Sequence, residues 1–237
     1  MNPYAVLAAA AAHWDRVAGR VDGPSRERLA VLLADVRRKR AGAAGEGELR
    51  AAAEAAARVL QEALPEEFGG AGGTGGVHGP GEAGGARLVA GALDVVDAVD
   101  DAYLGFRVED LAVLLVDGHR MVGPVLGPVR DRLLAVPAVG AETVRGRGGD
   151  PYARELIRLR GAGGAVRLPA FQFSGDGLPW LVVLEVNALL GADRDPWGAA
   201  DWWLSGNAWL GTAPAELLGT GNDRRLVDTA GFLMDGE

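Results

Sequence analysis

The stretch DPWGAADWWLSGNAWLG, residues 195–211, contains four of the six tryptophans in the chain. Asp195 is a favourable N-cap and Pro196 a favourable first-turn residue, so the stretch predicts the start of a helix. Trp202 and Trp203 are adjacent, and adjacent residues of a helix point about 100° apart, so both indoles cannot face one core. We therefore expect some of these indoles to pack the interior and others to remain on the surface.

The composition indicates a protein with a hydrophobic core. The 237 residues are 49% hydrophobic and 24% charged, enough for one large or two small domains. Cysteine is absent, which excludes disulfides and thiolate metal sites and favours a cytoplasmic location. His13 and Trp14 interrupt the apolar N-terminal run, which makes it a poor signal peptide, and no uncharged apolar run is long enough to span a membrane.

The first 68 residues predict a helical unit. Apolar side chains recur at helical spacing in three stretches, with breaks at residues 22–25 and at Pro65. Residues 69–85, GGAGGTGGVHGPGEAGG, include ten glycines and predict a flexible linker between domains. A phosphate-binding loop in their place would require a preceding strand and a following Lys with Ser or Thr, which the sequence lacks.

Residues 86–173 predict a second helical region. An apolar stripe from Val89 to Phe106 indicates a helix whose opposite side carries three aspartates, which we interpret as a solvated acidic face rather than a cation site. These aspartates are Asp94, Asp97 and Asp101. The following run predicts two helices broken at Gly123 and Pro124, although the Asp-Gly pair at residues 117–118 could instead turn a β-hairpin.

Residues 130–173 have the order helix, turn, helix, hairpin, which is typical of a small winged helix-turn-helix. Residues 120–167 carry nine arginines against four carboxylates, net +5, in a chain of net charge −8. This asymmetry favours contact with a polyanion or with another part of the protein. In a DNA-binding module the second helix would present Arg145 and Arg147, and the hairpin would present Arg158, Arg160 and Arg167.

Two features weaken the DNA-binding interpretation. The candidate recognition helix is short and interrupted by glycine, and it lacks the Asn or Gln that often reads adenine. A degenerate helix-turn-helix that serves only as scaffold, with ordinary solvated arginines, therefore stays open.

Residues 174–237 predict a compact unit of four helices with net charge −7, from three arginines against ten carboxylates. After the tryptophan-rich helix, Pro214 begins a short helix and Asn222 or Asp223 caps the last one. Small helical units need large side chains to fill their cores, so many of the tryptophans could be packing residues. The whole chain is thus predicted to be mainly α, with one small β-hairpin.

Residues 167–221, from RLPAFQF to LLGTG, resemble the C-terminal toxin-binding domain of the MbcA/ParS/Xre antitoxins. The family pattern has a Trp, then a Trp-Leu pair with glycine, then a proline and a Leu-Leu pair. The matching residues here are Trp203, Trp209, Leu210, Gly211, Pro214, Leu217 and Leu218. RLPAFQF is also similar to actinobacterial members, in which it follows a helix-turn-helix. The resemblance covers about the last seventy residues and does not include residues 1–120.

The resemblance implies an antitoxin whose C-terminal helices bind a RES-domain toxin, an NAD-consuming enzyme, and which also represses its own operon by binding operator DNA. One departure from the pattern is Ala213, which separates Thr212 from Pro214. We add Trp197 and Trp202 to the predicted partner-binding set, because tryptophan is favoured at protein interfaces. Two alternatives stay open: a DNA-binding regulator that acts through residues 130–167, and an orphan family member without a toxin. A homo-oligomer also stays open.

No catalytic residue is predicted. None of the three serines lies in a nucleophile elbow, and the three histidines are too scattered for a triad or a metal cluster. His119 beside Asp117 is a weak candidate base, and a histidine at a surface turn is the simpler interpretation. We therefore expect a binding protein with no cofactor and no metal, although an enzyme that uses only Asp, Glu and Arg stays open.

Overall fold

The computed structural model describes residues 2–42, 44–68 and 102–235. This part of the chain is mainly helical, which confirms the predicted fold class, and its short strands form two small antiparallel sheets. None of the helices in these ranges is long and apolar enough to cross a bilayer.

The chain divides into two units, residues 1–127 (unit 1) and 128–237 (unit 2). The predicted linker at residues 69–85, and the predicted acidic face of Asp94, Asp97 and Asp101, lie outside the described residues. The predicted boundary after residue 173 does not coincide with the division, because side chains from both sides of it share one core.

Unit 1 begins with helices that follow the predicted pattern. They are α1 (Pro3–Ala12), α2 (Trp14–Val17), α3 (Gly23–Ala41), α4 (Glu46–Ala63) and α5 (Pro65–Phe68). The first predicted helix is divided at His13, whose backbone leaves the helical region. Asp22 caps α3 by accepting from the Ser25 backbone N–H at 2.8 Å, which is how a helix N-terminus satisfies its free donors.

Helix α1 is the central element of unit 1. Residues 5–11 are buried on every side of it, and it packs against α4 and against elements that follow residue 101. A helix that is apolar all round belongs in a core, and the alanines let neighbouring elements approach closely.

After residue 101, unit 1 continues with a small hairpin and a second helical segment. The elements are β1 (Ala102–Tyr103), β2 (Phe106–Arg107), α6 (Val108–Ala112), a π-helical turn (Val113–Asp117) and the start of α7 (Gly123–Ala135). The predicted helical stripe through Tyr103 and Phe106 is wrong at these two residues, because they pair across the hairpin. Leu104 and Gly105 have φ of 50° and 78° and reverse the chain between them.

The helical interpretation of residues 108–117 is confirmed, and the alternative hairpin at residues 117–118 is not formed. Gly118 ends the helical segment in the left-handed region, with φ of 73°, where glycine is favoured. Asp117 is buried and accepts two hydrogen bonds from the Arg37 guanidinium, both 2.9 Å long. Its carboxylate is therefore held in a bidentate pair by an arginine of α3.

Unit 2 begins with the predicted helix, turn, helix and hairpin. Its elements are α7, β3 (Ala138–Val139), α8 (Ala141–Gly146), β4 (Leu159–Arg160) and β5 (Val166–Pro169). The predicted hairpin is confirmed by the register Leu159↔Arg167 and Arg160↔Val166. Strand β3, which the sequence does not predict, pairs with the other edge of β5.

The C-terminal part of unit 2 has four helical segments, as predicted. They are α9 (Leu181–Leu189), α10 (Pro196–Leu204), a 3-10 turn (Pro214–Leu217) and α11 (Asp223–Asp235). Asp195 caps α10 by accepting from the Gly198 N–H at 2.9 Å, as its sequence position predicts. Trp203 is 0% exposed and lies in the core that these segments share with Leu133, Ile157 and Leu159.

Two buried amide side chains connect this core. The Trp203 indole Nε1 donates to Asn187 Oδ1 at 2.8 Å, and Asn187 Nδ2 donates to the Glu155 carbonyl at 2.7 Å and to Gln172 Oε1 at 3.3 Å. Gln172 Oε1 also accepts from the Ile157 N–H at 2.7 Å. Because every polar group in this set has a partner, burying the amides costs little, and the network ties the hairpin region to α9 and α10.

We expect Asn187→Leu to lower the free energy of unfolding of unit 2 by about 3 kcal/mol, because it leaves the Trp203 N–H and the Glu155 carbonyl buried without a partner. Five of the six tryptophans lie in unit 2, so urea denaturation followed by tryptophan fluorescence measures this loss. The control is Thr143→Leu, at an exposed position of α8 in unit 2, which should cost less than about 1 kcal/mol. Equal urea midpoints for the two variants would contradict the importance of the network.

Candidate protein-binding surface

The loop after α10 separates two neighbouring side chains, Trp209 and Leu210. Asn207 Oδ1 accepts from the backbone N–H of Trp209 at 3.0 Å and of Leu210 at 3.2 Å, and the Asn207 N–H donates to the Thr212 carbonyl at 3.1 Å. Gly211 completes the turn with φ of 78°. As a result Leu210 is buried in the core and Trp209 is 54% exposed.

Helix α11 carries the second half of the surface. Leu226 and Ala230 face the core and are fully buried, whereas Phe232 is 67% exposed. The rings of Trp209 and Phe232 meet edge to face, with centroids 5.3 Å apart and planes at 88°. The Arg225 guanidinium donates to the Trp209 carbonyl at 2.7 Å, which ties the loop to the helix.

These elements enclose an open groove of about 600 Å³, which we call the aromatic groove. Its lining residues are Trp209, Gly221, Asn222, Arg224, Arg225, Asp228, Thr229 and Phe232. Arg224 and Asp228 lie 3.7 Å apart and are both well exposed, so they form a weak surface pair. The groove thus has an aromatic centre and a charged rim, which is the usual arrangement of a protein interface.

The exposed aromatic area is large enough to contribute to binding. Trp and Phe side chains bury roughly 150–250 Å² each when fully covered, so the exposed parts of Trp209 and Phe232 correspond to on the order of 5 kcal/mol of hydrophobic transfer free energy. The two rings also pack on each other in a preferred edge-to-face geometry. A partner would therefore meet a preformed aromatic pair.

The structure divides the predicted partner-binding set by burial. Trp209 and Gly211 are exposed, Trp197, Trp202, Leu217 and Leu218 are half-buried, and Trp203, Leu210 and Pro214 are buried. The prediction of a direct partner contact is thus corrected for Trp203, Leu210 and Pro214, whose side chains pack the monomer's own interior.

The adjacent indoles of Trp202 and Trp203 lie in different environments, as the helix geometry predicts. Their rings meet edge to face, with centroids 5.0 Å apart. Trp203 is fully buried in the core, where its indole N–H donates to Asn187. The Trp202 side chain is half-buried, and its buried Nε1 has no hydrogen-bond partner among the described residues.

Of the residues that line the aromatic groove, only Trp209 belongs to the predicted partner-binding set, and the most important residues not predicted are Phe232 and Arg225. Both lie beyond Leu218, the last residue that matches the family pattern. The available signal is helical periodicity: Leu226 and Ala230 define the buried stripe of α11, and Phe232 is a large aromatic residue off that stripe. Its contact with Trp209, far away in the sequence, could not be predicted.

Three of the five predicted DNA-binding arginines make contacts within unit 2. Arg145 forms an ion pair with Glu142, which raises the pKa of the guanidinium, while Arg158 and Arg167 donate to backbone carbonyls. Arg147 and Arg160 are exposed. Helix α8, the candidate recognition helix, has six residues, and DNA contact by this segment stays a prediction.

No protein-family model, curated protein or solved structure matches the chain. Within the described ranges, no group of three His, Asp or Glu side chains is arranged to hold a metal ion. The aromatic groove is therefore chosen as the candidate site from the geometry and exposure of its own residues.

We expect Gly211→Ala to lower the free energy of unfolding by about 1 kcal/mol, because alanine is strained at φ of 78° although space for its Cβ is open. Gly206→Ala is the matched control, since Gly206 also has open space but no positive φ. Urea denaturation compares the two variants. If they unfold at the same urea concentration, the left-handed turn is not what fixes the Trp209 loop.

Proposed function

We propose that this chain is a protein-binding protein of the antitoxin type, which holds a partner protein on the aromatic groove of unit 2. The observation that carries the proposal is the exposed edge-to-face pair of Trp209 and Phe232, 54% and 67% exposed, on a preformed groove. Exposed aromatic pairs of this size commonly mark interaction sites.

The chemistry of the groove indicates the kind of surface that it accepts. Trp and Arg are the residues most enriched among energetic hot spots of protein interfaces, and Trp209 lies beside Arg224 and Arg225. An apolar side chain against the two rings, with carboxylates opposite the arginines, would complement both features. A partner segment that combines apolar and acidic residues therefore suits this groove.

The resemblance of residues 167–221 to antitoxins supports a finer proposal, that the partner is a RES-domain toxin. Trp209 belongs both to the segment that carries the resemblance and to the groove. In this proposal the protein acts in the cytoplasm by binding and blocking the NAD-consuming enzyme, and it performs no reaction itself. An orphan member without a toxin is the alternative outcome of the test.

The test is binding of the full-length chain to the RES-domain protein encoded beside its gene, measured by calorimetry. Trp209→Ala and Phe232→Ala should each weaken binding at least about 30-fold, the loss expected for a hot-spot residue. Tyr152→Ala is the matched control, because it removes an aromatic ring that is 60% exposed and outside the groove, and it should leave the affinity nearly unchanged.

Circular dichroism of each variant separates loss of binding from loss of fold. If the native chain binds the RES-domain protein and both groove variants bind it equally well, the groove is not the interface. If the native chain does not bind any RES-domain protein from its own genome at micromolar concentration, the toxin is not its partner.

A further inference from the structure

A second cavity in unit 2, of about 270 Å³, lies beside the hairpin and shares no residue with the aromatic groove. Arg158 and Arg160 line it, together with Tyr152, Val166, Asp193 and Pro196 among others. We name it the arginine pocket. It is smaller than the cavities that enclose whole drug-sized ligands, and its size suits one small charged group.

Both arginines line this pocket from the start of the hairpin. Arg160 lies in β4, paired with Val166 of the pocket lining, and Arg158 immediately precedes the strand. Leu159, between them in the sequence, is buried in the core, at 1% exposed. Because both arginine side chains line one small cavity, their positive charges act on the same volume.

Neither guanidinium is neutralised within the described part of the chain. None of the ion pairs among the described residues involves Arg158 or Arg160. Arg158 donates one N–H to the Ala153 carbonyl, which fixes its position and leaves its other donors available, since an arginine has five. Two positive charges on one face repel each other, and an anion between them removes that repulsion.

The one carboxylate that lines the pocket already has a partner. Arg154 donates to Asp193 Oδ2 at 2.7 Å, and this hydrogen bond lowers the pKa of Asp193. The charge of Asp193 is thus compensated from outside the pocket. The pair Arg158 and Arg160 still leaves the pocket with a net positive charge.

We propose that the arginine pocket binds a phosphate group. Guanidinium groups match phosphate oxygens in geometry and charge, and two of them converge here on a small cavity. The exposed Tyr152 ring at the rim offers an apolar surface for whatever carries the phosphate. This proposal is independent of the proposed protein-binding function. The phosphate could belong to a nucleic-acid backbone or to a small phosphate compound, and the experiment distinguishes the two.

The experiment measures binding of inorganic phosphate and of a short DNA duplex to the full-length chain, by calorimetry and by fluorescence anisotropy. Arg160→Gln removes an exposed side chain, so it should leave the fold intact and weaken phosphate binding about tenfold or more. Arg38→Gln is the matched control, since it removes an exposed arginine of unit 1 that lies outside the pocket and outside the predicted DNA-binding segment. Asp193→Asn should strengthen phosphate binding, because it removes the negative charge from the lining, and a gain cannot come from misfolding.

Each outcome bears on the proposal. Phosphate and duplex binding that both depend on Arg160 support the site and identify a nucleic-acid backbone as its ligand, whereas binding of phosphate alone supports a small phosphate compound. Absence of phosphate binding at millimolar concentration, or equal phosphate affinity of the native chain and Arg160→Gln, would overturn the proposal. Trp209→Ala should bind phosphate normally, so failure of the protein-binding function would not affect this result.

Discussion

The hydrogen bond from the Trp203 indole to Asn187, with the further bonds from Asn187 to Gln172 and to the Glu155 carbonyl, joins segments that are distant in the sequence. Buried amides have no water to replace a missing partner, so each misplacement of one segment leaves a polar group unsatisfied. Apolar packing alone tolerates sliding of one surface over another, whereas this network accepts one arrangement. The hairpin region and helices α9 and α10 are held together by this constraint.

The same constraint decides which side chains remain on the surface of unit 2. With Trp203 in the core, the short loop that follows α10 has to supply one further apolar side chain to the interior, and the turn at Asn207 directs Leu210 there. Trp209, its neighbour, then points outward and meets Phe232 on α11. The exposed aromatic pair is thus a geometric consequence of how the core is filled.

Local sequence signals predicted much of this fold because their causes are local. Helical periodicity, the helix break at residues 22–25, the cap at Asp195 and the hairpin with its glycine-rich turn at residues 161–164 each depend on residues a few positions apart. Strand β3 and the contact of Trp209 with Phe232 depend on residues that are distant in the sequence. The pairing of Tyr103 with Phe106 is local, but these two residues also fit the helical spacing of the apolar stripe. Composition alone could not show which tryptophan is buried, since that depends on the elements that pack around each indole.

The charge asymmetry of the sequence has a partial explanation in unit 2. The basic segment pairs with the acidic C-terminal segment through Arg132 with Asp201 and Arg154 with Asp193. These pairs are solvent-exposed and contribute little to stability. Because Asp201 and Asp193 are already paired with Arg132 and Arg154, they do not neutralise the other arginines. Arg158 and Arg160 therefore keep their positive charge at the hairpin of an acidic protein, where an added anion gains more attraction than it would at a neutralised surface.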